Sequence, residues 1–283
     1  MRKFSVSYII KLFIFIITTT LILSFILNKY LLPVRLHVFA PWSFEIRLRR
    51  IIELYEYKFP FTKVKLFLGT PGKLIKEIDS GAKPDVYIAM GPKEIEILRQ
   101  LKLVLPGKEK ELLKQTLVLA VPDPPIVEVN SLAGLTKKEI ETVGIGRPRL
   151  TAGIRTRKAL EKLGILEIVD KKSKTSPLKT IVFKEAEAAI IYEQCAYEED
   201  LFKGELTTRK DIKIVQYLPS ELCEPFAIVA VPLRSNFLKR KASIDFVNFL
   251  GEESAQEILY KKATASCPVC ELGPEGMCIL PQN

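Results

Sequence analysis

Gly69-Thr70-Pro71-Gly72-Lys73-Leu74, followed three residues later by Ile78-Asp79-Ser80-Gly81-Ala82-Lys83-Pro84-Asp85-Val86-Tyr87-Ile88, decides the fold class. Val64 to Leu68 ahead of it reads as a strand. The Gly-Thr-Pro-Gly run then opens a helix, because proline is tolerated in the first helical turn, and Gly81 closes it. Val86 to Ala89 is a short, wholly apolar strand, the pattern of a strand buried on both faces. Strand, helix and strand in this order predict an α/β protein with parallel strands between helices.

The alternation continues on both sides. Val34 to Ala40 reads as a strand ending at Pro41, and Phe44 to Tyr57 carries Ile46, Leu48, Ile51, Ile52 and Leu54 at helical spacing, with Ser43 before it as an N-cap. Downstream, helices are expected over Glu94–Leu101, Thr151–Leu163, Phe237–Leu250 and Ser254–Tyr260. Strands are expected over Thr116–Val121, Val143–Gly146, Ala188–Tyr192, Ile212–Tyr217 and Phe226–Val231. Two α/β lobes joined by crossing strands fit this order, and so does one continuous doubly wound sheet.

Composition narrows the function. In 283 residues there is a single histidine, His37, which excludes chemistry needing more than one imidazole. The chain has no GxSxG or GxxxxGK[ST] motif, and no acid/base or nucleophile–base pair stands out, so an enzyme is not expected. The formal charge is +10, and Arg2, Lys3, Lys11, Lys29 and Arg35 around the N-terminal apolar segment supply five positive charges. With no nucleic-acid-binding motif or long basic run, a solvated, mildly basic surface is expected and nucleic acid is not a partner.

Tyr8 to Leu32 is almost wholly apolar. About 20 residues span a bilayer core, and no small-x-small cleavage site follows, so residues 1–33 are expected to form an uncleaved transmembrane anchor rather than a removed signal peptide. Arg2, Lys3 and Lys11 on its short side place the rest of the chain outside the cytoplasmic membrane.

Beyond these elements, the order of segments resembles the molybdate- and tungstate-binding proteins of ABC importers. The stretches that carry the resemblance are Phe39–Ser43, Gly69–Leu74 with Ile78–Ile88, Leu117–Pro122, Ile145–Pro148, Ala152-Gly153, Ala159–Gly164, Ala186–Tyr192, Glu224–Val229 and Phe246–Leu259. They run in that family's order from about Val34 to Lys262. The resemblance implies a two-lobed type II periplasmic-binding fold with two hinge strands. Lobe I would take residues 34–115 and 224–262, and lobe II residues 116–223. It also implies a small oxyanion held in the interlobe cleft for an ABC permease. Helix N-termini suit that task, since their unpaired N–H groups and positive dipole ends hold an anion without a formal cation.

Carried over residue by residue, the resemblance implies ligand contacts at Ser43, Ala152 (backbone N–H) and Tyr192 (hydroxyl). Pro71 stands where the family has a serine, removing an N–H and a hydroxyl, which leaves Thr70 and the Gly72 N–H as substitutes. Arg147 stands where the family has Asp, as does Cys195 after the tyrosine. Arg147 and Lys174 are further candidates to rebuild the shell.

Residues 263–283 form a Pro/Gly-rich tail with Cys267, Cys270 and Cys278. These cysteines suit a disulfide staple, thiolate ligands for a metal ion (with Cys195 or Cys223 as a fourth), or a redox dithiol. An alternative function follows from them: the binding-protein fold kept without oxyanion binding, acting as a metal-handling or interaction protein.

Overall fold

The computed structural model describes residues 33–200 and 205–260, with residues 13, 15–20, 271–272 and 278–279. The anchor expected over Tyr8–Leu32 lies for the most part outside the described residues, and among these no helix is long and apolar enough to cross a membrane. Cys267 and Cys270 also lie outside them.

The chain begins with β1 (Val34–Pro41), a 3-10 turn (Trp42–Phe44), α1 (Glu45–Lys58), β2 (Thr62–Gly69), α2 (Pro71–Asp79), β3 (Val86–Ala89), α3 (Pro92–Gln100) and β4 (Lys110–Gln115). It continues through β5 (Leu117–Pro122), β6 (Val143–Gly144), α4 (Thr151–Lys162), α5 (Leu166–Lys171), β7 (Ser173–Lys174), α6 (Pro177–Val182) and β8 (Ala188–Tyr192). A 3-10 turn (Glu193–Ala196) leads to β9 (Tyr197–Asp200), β10 (Glu205–Thr208), β11 (Ile212–Tyr217), β12 (Phe226–Pro232), α7 (Phe237–Phe249) and α8 (Glu253–Tyr260).

These strands form two separate five-stranded sheets, in the orders β2-β1-β3-β12-β4 and β11-β5-β8-β6-β7. The continuous-sheet alternative is thereby set aside in favour of two lobes. The strands are not all parallel as expected. β1, β2 and β3 are parallel to one another, as are β6, β7 and β8, but β12 is antiparallel to β3 and β4, and β5 is antiparallel to β8 and β11. The reason is connectivity: strands that pass between the sheets enter from the other lobe rather than through a helical crossover.

The helices form because their apolar faces have sheets to cover. Tyr55 of α1 packs on Phe59, Phe246 and Phe249 at ring-centroid distances of 4.8, 5.0 and 5.3 Å. On the opposite face of that sheet, Leu74, Ile75 and Ile78 of α2 meet Ile95 and Leu98 of α3 around Phe39 and Tyr87. Asp85, only 2% exposed, ties this lobe together by accepting from the His37 backbone N–H at 2.8 Å and Lys239 Nζ at 2.9 Å. The loops leaving β1, β2 and β3 all open at the carboxyl ends of parallel strands, as do those leaving β6, β7 and β8. That is where open α/β sheets place ligand sites.

Candidate interlobe site

Ser43 is not the N-cap of α1. It lies inside the 3-10 turn, and Phe44 takes the N-cap position without a side-chain hydrogen bond. The extra turn draws the Ser43 hydroxyl inward, where its oxygen is buried without a hydrogen bond of ordinary geometry. It lies beside the Cys195 thiol, which burial pushes up to about 11, with the Ser43 hydroxyl and the charges of Arg209 and Arg47 pulling the other way. At that value Cys195 is a neutral thiol at physiological pH, not a ready metal ligand. Among the described residues no group of three metal-ligating side chains gathers.

Ala152 and Tyr192 meet directly. The Ala152 N–H, in the first turn of α4, donates to the Tyr192 hydroxyl at the end of β8, at 3.2 Å. The Thr70 hydroxyl caps α2, accepting from the Lys73 N–H at 3.3 Å, and its side chain is exposed. Gly72 sits at the same lip, where a Cβ would come within 3.2 Å of Leu150 and 3.4 Å of Arg147. Arg147 therefore faces the turn that carries Pro71, whereas Lys174 is exposed on β7. Cys278 is paired through its backbone with Leu272.

Sequence reasoning missed the residue at the centre of this site. Glu94, in the first turn of α3, is completely buried. Its carboxylate accepts from the Thr151 N–H at 3.3 Å and from the Thr151 hydroxyl. Thr151 Oγ1 in turn accepts from the Lys93 N–H at 3.1 Å. Two helices from different lobes thus cap each other, with the positive ends of both directed at one carboxylate. Tyr192 is close enough to favour the ionised carboxylate as well, but burial dominates and holds the Glu94 carboxyl above the usual range. The Tyr87 hydroxyl, from β3, is buried with no hydrogen-bond partner and feels the Glu94 charge. Burial drives both tyrosine hydroxyls well above their ordinary pKa, so both stay protonated. The signal for Glu94 was available in outline: it lies four residues before Leu98, on the apolar face of its helix.

Beneath this cluster, Gln115 Nε2 donates to the Met90 carbonyl at 2.7 Å, while Gln115 Oε1 and Thr116 Oγ1 are buried without partners where β4 runs into β5. Arg47, 3% exposed, spans the junction: it donates to Gln194 Oε1 at 3.1 Å, to the Leu259 carbonyl at 3.2 Å and to the Ser43 carbonyl at 2.7 Å.

The lobes touch closely at Gly91, where a Cβ would lie 2.4 Å from Thr151 Cγ2 and 2.7 Å from its Oγ1. Thr151 cannot swing away without breaking its bonds to Lys93 and Glu94. Gly91→Ala is therefore expected to wedge the lobes apart and weaken ligand binding roughly ten- to a hundredfold, in line with overpacking costs of about 1–3 kcal/mol. Titration calorimetry checks the affinity, and small-angle scattering should show a larger radius of gyration. A variant that binds and scatters like the parent would show that the contact is not a closure point.

The profile of the family described as bacterial extracellular solute-binding protein matches residues 36–262. The chain is 21% identical over 252 residues to the molybdate-binding protein ModA of Haemophilus influenzae, covering 86% of this chain and 94% of that one. Among solved structures, it resembles the periplasmic molybdate-binding protein of Azotobacter vinelandii with a TM-score of 0.65 at 16% identity, over 87% of this chain and all of that one. It also resembles the sulfate-binding protein SubI of Mycobacterium tuberculosis with a TM-score of 0.62 at 12% identity, over 80% and 84% of the two chains.

Proposed function

The chain belongs to the bacterial extracellular solute-binding protein family, and from that premise we propose that it holds a small oxyanion of the molybdate or tungstate kind between its lobes for an ABC permease. The observation that carries this reading is the meeting of the α4 N-terminus with the Tyr192 hydroxyl at 3.2 Å, with the buried Tyr87 hydroxyl and the Cys195 thiol, beside which Ser43 lies, in the electrostatic reach of Tyr192. Hydroxyls and helix-end amides are the donors an oxyanion needs. The curated relative is named for molybdate, and the solved neighbours are named for molybdate and sulfate. Such a receptor performs no catalysis.

Tethering by residues 1–33, with the lobes on the extracytoplasmic side, belongs to the same proposal, as do the lobe boundaries at 115/116 and 223/224. The apolar run from Tyr8 to Leu32 supports the tether.

A ligand that binds only the folded chain stabilises it by mass action, about 2.7 kcal/mol at one hundred times Kd. Molybdate, tungstate, sulfate or phosphate at millimolar concentration is thus expected to raise Tm by roughly 5–10 °C in a domain of this size. If none of the four moves Tm at any pH between 5.5 and 8, the oxyanion reading is wrong.

A further inference from the structure

Part of the α4 N-terminus that an oxyanion would use is already engaged by a carboxylate of the chain itself. Glu94 reaches from lobe I to the first turn of α4 and takes the Thr151 amide and hydroxyl, one residue from the Ala152 N–H. The groups facing it come from three other elements: Thr151 from α4, Tyr192 from β8 and Tyr87 from β3, with the neutral Cys195 thiol next to Tyr192. Its neighbour Lys93 directs Nζ to Glu96 at 2.8 Å instead. Among the described residues no lysine or arginine pairs with Glu94. The Tyr87 hydroxyl is a second and independent sign of a ligand here: it is buried, feels the Glu94 charge, and hydrogen-bonds neither to that carboxylate nor to any other group.

We propose that Glu94 is a built-in occupant of the interlobe anion site and determines its specificity: an oxyanion enters only together with one proton, shared between the Glu94 carboxylate and a ligand oxygen. This inference rests on the oxyanion reading above. Two negative groups in one desolvated site cannot both stay ionised, so one of them must be protonated. Falling pH supplies that proton to Glu94 and strengthens anion binding, while rising pH restores the carboxylate and weakens it. The raised carboxyl pKa of Glu94 puts this transition nearer neutrality than for an exposed glutamate. Oxyanions that keep a proton at neutral pH, such as phosphate and arsenate, donate it to Glu94 directly. Molybdate, tungstate and sulfate carry none and draw it from solvent.

The test is calorimetric titration of the detergent-solubilised full chain with molybdate and with phosphate between pH 5.5 and 8, in two buffers of different ionisation enthalpy. Trp42, the sole tryptophan and 56% exposed beside Ser43, gives a parallel fluorescence signal. Molybdate is expected to bind about tenfold more weakly per pH unit on the alkaline side, with uptake of one proton. At pH 8, where free phosphate already carries the one proton, phosphate should bind with no net uptake and more tightly than molybdate. In Glu94→Gln the slope and the uptake should vanish, and molybdate affinity at pH 8 should rise at least tenfold. If that variant does not fold, the proton count on the parent chain decides alone. Molybdate binding without proton uptake overturns the role of Glu94 and leaves the oxyanion reading intact. Absence of binding by both anions, in parent and variant alike, removes both.

Discussion

Gly153→Ala is expected to destabilise the protein by about 3 kcal/mol or more and to abolish measurable oxyanion binding. A Cβ at Gly153 would lie 2.0 Å from the Arg147 carbonyl oxygen, 2.4 Å from its carbon and 2.5 Å from the Gly146 carbonyl oxygen. These are backbone atoms, so no rotamer change relieves the clash; either the 146–150 turn or the start of α4 must move. Overpacking at flexible side chains costs about 1–3 kcal/mol, and rigid neighbours push the cost to the top of that range or past it. The same displacement carries the Ala152 N–H away from Tyr192, and with it the helix end that the proposed anion site is built on. Urea unfolding and calorimetric titration measure the two effects. Gly134→Ala, whose Cβ would meet nothing closer than 3.7 Å, is the control. A Gly153→Ala protein of parental stability and affinity would mean that this helix end is not the anchor of the site.

Arg47→Ala should have an effect of similar size by a different route. The guanidinium lies 4.3 Å above the Phe44 ring and donates to three acceptors, on α8, on the turn after β8 and on the turn before α1. Gln194 and Leu259 are themselves buried, at 3% and 1% exposure, so truncation strands their oxygens without water. Each hydrogen bond from a charged donor contributes about 1.5–3 kcal/mol and each stranded acceptor costs about 1–3 kcal/mol, values that overlap rather than add. A total loss of about 3–5 kcal/mol in urea unfolding is expected. Arg47→Met keeps the apolar stem and removes only the donors. It should retain at least half of that loss, and recovery of full stability in Arg47→Met would assign the effect to packing instead.

Sequence patterns reached most of the secondary structure because short-range rules govern it. Pro71 and Gly81 bracket α2 as proline and glycine demand, and Gly81 does adopt a φ of +100°. The apolar runs Ala188–Tyr192 and Ile212–Tyr217 coincide with β8 and β11. The reading failed in two places, one decided by a long-range contact and one by a local turn. β4, with the polar sequence Lys110–Gln115, has little alternation of its own and exists because β12 pairs with it. Ser43 reads as an N-cap from its neighbours alone, but the 3-10 turn takes it inward.

The sequence alone determined that this chain folds as layered α/β units and that chemistry needing more than one imidazole is excluded. Those conclusions follow from residue type and spacing, which act over a few positions. Tertiary structure alone decided what faces what across the junction: that Thr151 caps α3 while Glu94 caps α4, and that the Glu94 carboxylate lies beside the Tyr192 hydroxyl. Residues 94 and 151 are far apart along the chain, and only the closure of one lobe on the other turns their separate chemistries into a single site.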